Sequence, residues 1–504
     1  MFSTWKFGII KRKAKSLHTR VTRNRLTFTF FLFGLLHCFA QGIIQSFLFS
    51  IDSEYSSFLS QVVHAADVPP KNHTYLEGSS GNYRLRMCNY IPHFDYNCTD
   101  IFESHRDTRA SNISFEDPER RGQFLRAYIG SRAQPVLSRN ETGITINSHD
   151  GKEKVLLDTQ CVQILVFPSQ DLRNNEREDL ALVFIQFWLF VMSVIAMLYD
   201  SVPHIVAGFC ARMLLTAWSA CVLWRTHSKK SIYQELIGAS ATPCSADLFN
   251  QDYFRVRNGY EIPDLILNLT ALAIACYLSL ILFRDYNKRS FKCVGAPKHI
   301  AILYKYFMAV QACLQLELYV LMAGMGLWID QLFNTYIGAI SEHTFVYEGV
   351  FIFYTVLVIP WLVLGWYAIR HERTVLTALF IFASFVFFFT MSIMFYSQVF
   401  RWTFISWPNL ACFLVASMIL MLACIILGLI CLRNFGKGLS HYLHADSILE
   451  SLDFSPAVFE NDIDYHVDSK AEHDKAIDSL QGYHSQLKYN ISDVSLEVGS
   501  PDHK

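Results

Sequence analysis

Ionisable side chains inside long apolar runs carry the largest energetic question in this chain, because a charge in hydrocarbon costs several kcal/mol on some scales unless it is paired or solvated. Arg212 lies in PHIVAGFCARMLLTAWSACVLW, and Glu317 closes the row Gln311, Gln315, Glu317. Joined across helices, the two would form a buried ion pair of the kind that lines a transport path. At ~1.5 Å per residue, Arg212 lies about 12 Å into its run and Glu317 about 18 Å beyond Lys305, so the guanidinium stem must cover the difference. The alternative leaves Arg212 reaching to the interface along its stem, with Glu317 as a polar helix contact. His37, Gln41 and Gln45 recur every fourth residue on the first run. That face suits hydrogen bonds between helices better than it suits a conduction path. Asn268 adds an amide to the fourth run.

A second group of chemistry-bearing residues falls in polar sequence. Asn72, Asn97, Asn112 and Asn140 each open an N-x-[ST] sequon within one segment, the expected pattern for a glycosylated surface in the secretory lumen. Asn268 and Asn490 also match, but one falls in an apolar run and the other near the C-terminus, so both read as chance. Of 13 cysteines, Cys38, Cys210, Cys221, Cys276, Cys313, Cys412, Cys424 and Cys431 sit in apolar runs as small packing residues, and Cys293 in a basic loop. Cys88, Cys98, Cys161 and Cys244 remain, an even number on the oxidising side. Three pairings are open, of which Cys88–Cys98 with Cys161–Cys244 is the local choice. Their spacing lacks C-x-x-C, which argues against a metal, and nothing in the chain calls for a cofactor. No G-x-S-x-G, H-E-x-x-H, Walker A or G-x-G-x-x-G pattern occurs. His441, His444 and Asp446 in HYLHADS are the nearest approach to a hydrolytic or metal set, and such juxtamembrane residues are ordinarily solvated. A non-enzymatic protein is expected.

These residues are held by a chain that is 52% apolar and 15% aromatic, with only 17% charged residues against roughly 25% in soluble domains. Apolar windows near 26–50, 180–199, 204–224, 263–283, 301–328, 347–369, 374–400 and 408–432 reach the ~20 residues that a bilayer requires. Each reads as a helix, since hydrocarbon leaves no partner for an open backbone. Pro203, Pro263 and Pro408 stand at or beside helix starts, and Pro360 falls inside the sixth. Trp224, Trp328, Trp361, Trp366, Trp402 and Trp407 mark the interfaces as an aromatic belt. The expected fold class is an all-α polytopic membrane bundle of about eight transmembrane helices, with a small β-rich or mixed extracytosolic domain.

Charge orients the bundle. Lys6, Lys11, Arg12, Lys13, Lys15, Arg20, Arg23 and Arg25 precede the first run, and Arg284, Lys288, Arg289, Lys292 and Lys298 fill the loop at 284–299. The positive-inside rule puts both in the cytosol, with Arg370, Arg373, Arg433 and Lys437. Segment 225–262 disagrees, for it falls outside yet holds Arg225, Lys229, Lys230, Arg255 and Arg257. The first run, TFTFFLFGLLHCFAQGIIQSFLFS, could be a signal peptide cut after Ala40 or an anchor that stays. Signal peptides have apolar cores of 7–15 residues, and this run continues ten residues past the cut, so the anchor fits better. Cleavage would leave a receptor-like protein of seven helices.

The expected organisation is a basic cytosolic N-terminus (1–25), a signal-anchor helix (26–50), a glycosylated and disulfide-bonded extracytosolic domain (51–178), a seven-helix bundle (179–433) and an acidic, disordered cytosolic tail (434–504). Within the domain, ITINSHDGKEKVLLDTQCVQILVF (144–167) reads as two strands about the Asp150-Gly151 turn, and RGQFLRAYIG as a short helix or strand. The tail holds 13 acidic residues against five lysines and too few apolar groups to fold alone.

The segments IPWLVLGWYAIRHER (359–373), FRWTFISWP (400–408) and CLRNFGKGLSHYL (431–443) resemble the C-terminal half of a family of multi-spanning membrane proteins of basidiomycete fungi. The resemblance covers about the last 150 residues and carries no catalytic motif. It implies a cell-surface or secretory-route protein that supports virulence in a host plant. The plan of one anchor, an outer domain and seven helices resembles Wntless-type cargo receptors in topology. The expected partners are the lipid bilayer, an extracellular or secreted protein or carbohydrate, and cytosolic partners of the acidic tail, with no nucleic acid. The competing expectation is a secondary transporter or channel built on Arg212 and Glu317.

Overall fold

A computed structural model describes residues 25–91, 98–104, 118–129, 136–140, 142–147, 154–199, 201–239, 242–249, 252–292, 298–341 and 344–437. Helix α1 (Arg25–Ala65) leads into two small antiparallel sheets. The first is β1 (His73–Ser79), β2 (Asn82–Cys88) and β3 (Cys98–Glu103); after the short helix α2 (Pro118–Arg126) comes the second, β4 (Val136–Asn140), β5 (Gly143–Asn147) and β6 (Lys154–Asp158). The rest is helical: α3 (Thr159–Leu198), α4 (Val202–Tyr233) with a π turn at Gln234–Gly238, α5 (Tyr253–Lys292), α6 (Lys298–Asn334), the short α7 (Tyr336–Ile340), α8 (Thr344–Arg370), α9 (Thr374–Met394), the short α10 (Gln398–Ser406) and α11 (Pro408–Arg433). Eight of these helices, α1, α3, α4, α5, α6, α8, α9 and α11, are long and apolar enough to cross a membrane. Their surfaces expose large apolar side chains such as Phe382, Phe389 and Ile419, as lipid-facing helices do.

Helix α1 runs unbroken through Ala40 and Gln41 and packs along α3, so the candidate cut lies mid-helix. Helix α3 is the main departure from expectation. Residues 159–167, read from sequence as strand, are its first turns, and only Gly143–Asn147 and Lys154–Asp158 pair as strands. The Asp150-Gly151 turn lies outside the described residues. At 40 residues α3 is about 60 Å long, twice the ~30 Å hydrocarbon thickness. Its first half, QDLRNNERED, is too polar for lipid, so it stands clear of the bilayer. Helices α1 and α5 overrun their apolar windows in the same direction, and Pro263 therefore falls inside α5 instead of at its start.

The overrun has a packing consequence. Tyr55, Phe58, Leu59 and Val62 of α1, Ile164, Leu165 and Leu172 of α3 and Tyr253 and Phe254 of α5 share one apolar core with Leu85 and Met87 of β2, Phe102 of β3, Ile144 and Ile146 of β5 and Leu157 of β6. The sheets are built onto the helix ends instead of forming a core of their own. Two disulfides fix them. Cys88 and Cys98 stand opposite each other in the β2–β3 register, and Cys161 in the first turn of α3 joins Cys244 in the α4–α5 connection. Both match the local choice of pairing.

A second core fills the other half, with Trp328, Phe351, Trp361, Phe380, Phe387, Phe400 and Trp407 packed together. Trp328, Trp361 and Trp407 are thus core residues, whereas Trp224 and Trp366 are exposed. Trp361 donates to Ser384 Oγ at 3.0 Å, the partner that a buried indole requires. A Cβ at Gly365 would stand 2.5 Å from the Phe380 ring, so α8 and α9 approach only because that position is glycine.

Candidate functional site

The residues that could do chemistry converge on a seam between α1, α3, α4 and α5. The seam follows from spacing: His37, Gln41, Gln45 and Asp52 share one face of α1, and Tyr253, Arg257, Glu261, Asp264 and Asn268 share one of α5. Helix α4 contributes Arg212, Ser219, Thr226, Lys229 and Tyr233, and α3 contributes Asp171, Asn175, Glu178 and Asp179.

At the sheet-bearing end, Arg225 holds Glu178 with one nitrogen 2.8 and 2.9 Å from the two carboxylate oxygens, and Trp218 donates to Glu178 at 2.9 Å. Lys229 donates to Asp171 at 2.6 Å and to Asn175 at 3.3 Å, while the Tyr233 hydroxyl donates to the other oxygen of Asp171 at 2.7 Å. Deeper, Arg257 donates to Asp52 and, at 2.6 Å, to Glu261, with Asp179 at 3.9 Å. Tyr253 donates to Asp52 at 2.9 Å and Thr226 to Glu261 at 2.7 Å. All of Asp52, Asp179, Arg257 and Glu261 are buried. A small gap of about 10 Å³, room for about one water, lies in this layer between Asp171, Arg225, Thr226, Lys229, Tyr253 and Arg257.

This layer holds three of the five basic residues of the segment that disagreed with the positive-inside rule. Arg225, Lys229 and Arg257 are paired with acids of α1, α3 and α5.

One level further into the apolar zone lies Asp264. Gln41 donates to one of its oxygens, as does Gln45 at 2.7 Å. Ser219 and Asn268 donate to the other at 2.6 and 3.2 Å, and Asn268 also donates to Ser219 at 2.8 Å. At the deepest level Arg212 stands 3.1 Å from His37 Nδ1 and lies 5.2 Å from the Phe33 ring centroid.

The structure does not bring Arg212 and Glu317 together, contrary to the expected ion pair. Glu317 is fully buried on α6, where Ser417 of α11 donates to it at 2.5 Å, while Arg212 turns toward α1. The reason is direction: the two side chains face different cores, one polar and one apolar. The stripe His37, Gln41, Gln45 faces Arg212 and Asp264 and ties α1 to α4 and α5.

Outside the seam, Asn140 is exposed at the end of β4 and donates to Thr145 at 3.0 Å. Asn72 is half-buried against Met87, and Asn97 and Asn112 lie outside the described residues. So do Cys293, His441, His444, Asp446 and the whole of 438–504. His73, at the start of β1, stacks on Tyr336 of α7 at 4.8 Å and meets Trp402 of α10 edge-on, so the first sheet also touches the second half of the bundle. Burial pushes the His73 imidazole down to about 4, with a backbone group of Lys71 working the other way. Among the described residues no three His, Cys, Asp or Glu side chains are placed to hold a metal ion together.

Sequence reasoning overlooked Asp52, Asp171, Glu178, Asp179 and Asp264. Their signal was present, since Asp52 continues the His37 stripe and Asp264 stands one turn from Asn268. It was masked because polar residues were assigned to loops wherever an apolar window ended. Compared with protein-family models, with curated proteins and with solved structures, the chain finds no match.

Proposed function

We propose that this chain is a non-enzymatic multi-pass membrane protein of the cell surface or secretory route, with its sheet-bearing module outside the cytosol, where it binds a protein or carbohydrate partner. The observation that carries this reading is the shared core and the Cys161–Cys244 bond, which join the module to the ends of α1, α3, α4 and α5. A module fused to four helices in this way delivers any force or displacement on its surface to the bundle, as sensing or cargo adaptation requires. Exposed sequons such as that of Asn140 fit a lumenal surface. The acidic tail supplies a cytosolic face for recruitment.

The resemblance of the last 150 residues to the basidiomycete family, and within it to a smut-fungus membrane protein needed for tumour formation in the infected plant, makes host colonisation the process to examine. A deletion strain should grow normally in culture and fail to colonise the plant. Reintroduced wild type should restore colonisation, and a Cys161→Ser, Cys244→Ser variant that still reaches the membrane should not. Equal colonisation by the deletion strain would refute the virulence role, and full rescue by the double variant would refute coupling through the module.

A further inference from the structure

We propose that His73 is a proton-operated latch: neutral, it docks the first sheet on α7 and α10, and charged, it releases them. Strand alternation sets up the contact. Side chains two apart on a strand share a face, so His73 and Tyr75 of β1 point one way and Thr74 the other. Thr74 meets Gln170 of α3, its backbone N–H and its hydroxyl each donating to the amide oxygen at 3.3 Å. His73 and Tyr75 face the second half of the bundle. The His73 imidazole stacks nearly parallel on the Tyr336 ring of α7 at 4.8 Å and meets Trp402 of α10 at 5.8 Å. Tyr75 meets the same indole edge-on at 4.9 Å.

The imidazole is 0% exposed, and neither ring nitrogen has a well-formed hydrogen bond. A neutral ring tolerates this far better than an imidazolium, which adds a charge and a second N–H donor to the same dry surrounding. The elements packed against it offer little compensation. Tyr336 and Trp402 present neutral rings, and Cys88, opposite His73 on β2, is locked in a disulfide. The charged groups nearest along these elements are cations: Arg173 of α3, which donates to the Asn334 carbonyl at 2.8 Å, and the exposed Lys71 and Arg401. Asp330, one turn before Asn334 on α6, is taken by Arg177 and, at 2.7 Å, by Asn334. A stacked tyrosine attracts an imidazolium, but less than burial without acceptors costs it.

The sign of the effect follows. Docked, His73 is held down to about 4 by burial, against a backbone group of Lys71, whereas a released imidazole titrates near 6.5. The released state binds the proton more tightly, so the docked contact is at full strength above pH 6.5 and weakens as pH falls to 4. Relative to neutral pH, the ratio of released to docked sheet rises about tenfold at pH 5.5 and about seventyfold at pH 4.5. Release frees one face of the sheet and leaves the module attached, because Leu85, Met87 and Phe102 stay in the core shared with α1 and α3. The inference is independent of the partner-binding reading, for it requires no extracytosolic partner.

The test is hydrogen–deuterium exchange of the full-length protein in detergent between pH 7.5 and 4.5, corrected for the intrinsic pH dependence of exchange. Segments covering β1, α7 and α10 should lose protection as pH falls, by the factors above, while a segment around Phe380 in α9 keeps its own. His73→Phe retains the ring stack and cannot take a proton, so its protection at β1, α7 and α10 should be independent of pH. If that variant fails to fold, His73→Gln, which is equally unable to charge, decides in its place. Protection at these segments that stays flat with pH in the wild type would overturn the latch. So would an acid-induced loss that the uncharged variant shares, or one that spreads equally to the Phe380 segment, which would mark general unfolding.

Discussion

Removing the Arg257 guanidinium is the sharpest test of the charged layer. Arg257 is 2% exposed and serves Asp52 and Glu261 directly, with Asp179 3.9 Å away. Arg257→Met keeps the length of the apolar stem and deletes the charge, leaving three buried carboxylates without a cation. Breaking one buried pair by removing a partner costs about 3–5 kcal/mol. Here two carboxylates lose their partner at once. Asp52 keeps the Tyr253 hydroxyl and Glu261 keeps that of Thr226, each offsetting about 1 kcal/mol. The expected loss is therefore about 5 kcal/mol, between three and four orders of magnitude in the folding equilibrium. Arg255→Met, at an exposed position two residues earlier, should change stability by less than about 0.5 kcal/mol.

The assay is reversible unfolding in mixed micelles, followed by helicity and by protease sensitivity of the module. Its diagnostic feature is non-additivity. Neutralising the whole set with Asp52→Asn, Glu261→Gln and Arg257→Met should recover most of what Arg257→Met alone loses, because neutral groups of similar shape no longer leave charges buried and unpaired. If the triple variant is less stable than the single one, the layer is held by individual contacts and not by charge balance. If Arg257→Met loses less than about 1 kcal/mol, the carboxylates are compensated from elsewhere and the reasoning fails.

Other consequences are tested more simply. The loop entropy released by breaking Cys161–Cys244, 83 residues apart, is about 4.5 kcal/mol against about 2.7 for Cys88–Cys98, 10 apart, so Cys161→Ser should lower the unfolding midpoint more than Cys88→Ser. Asn140→Gln should remove one glycosidase-sensitive step in gel mobility, whereas Asn268→Gln should leave the glycan pattern unchanged because that side chain is buried at Asp264. His73 is held neutral by burial down to about pH 4, while an unfolded histidine titrates near 6.5. The unfolded state then binds more protons between these values, so about 3 kcal/mol of stability, full above pH 6.5, should be lost as pH falls to 4. His73→Gln should flatten that part of the stability–pH profile, and an unchanged slope would refute the assignment. Gly365→Ala should cost about 1–3 kcal/mol by overpacking α8 on Phe380, read as a lower unfolding midpoint, and Gly365→Leu more.

How far the sequence revealed this architecture depends on which signal each residue carries. Eight spans were legible because hydrocarbon thickness imposes a length that few soluble segments imitate, and the runs around Phe380 and Ile419 could be little else. The pairing of Cys88 with Cys98 followed from local spacing. Hidden from the sequence were the positions where α1, α3 and α5 continue beyond the lipid. There the apolar periodicity gives way to charge, and a helix such as 168–179 looks like a loop. Its charges are satisfied by partners 40 or more residues away, as Glu178 is by Arg225 and Asp171 by Lys229. No window along the chain contains both members of such a pair. The basic segment 225–262 carried a clue, since buried arginines and lysines in the interior of a bundle need acidic partners. The acids of α1, α3 and α5 pair with three of them, Arg225, Lys229 and Arg257. One turn deeper Asp264 is met by neutral donors alone, Gln41, Gln45, Ser219 and Asn268, which no apolar window could have signalled, while Arg212 and Glu317 go to separate partners.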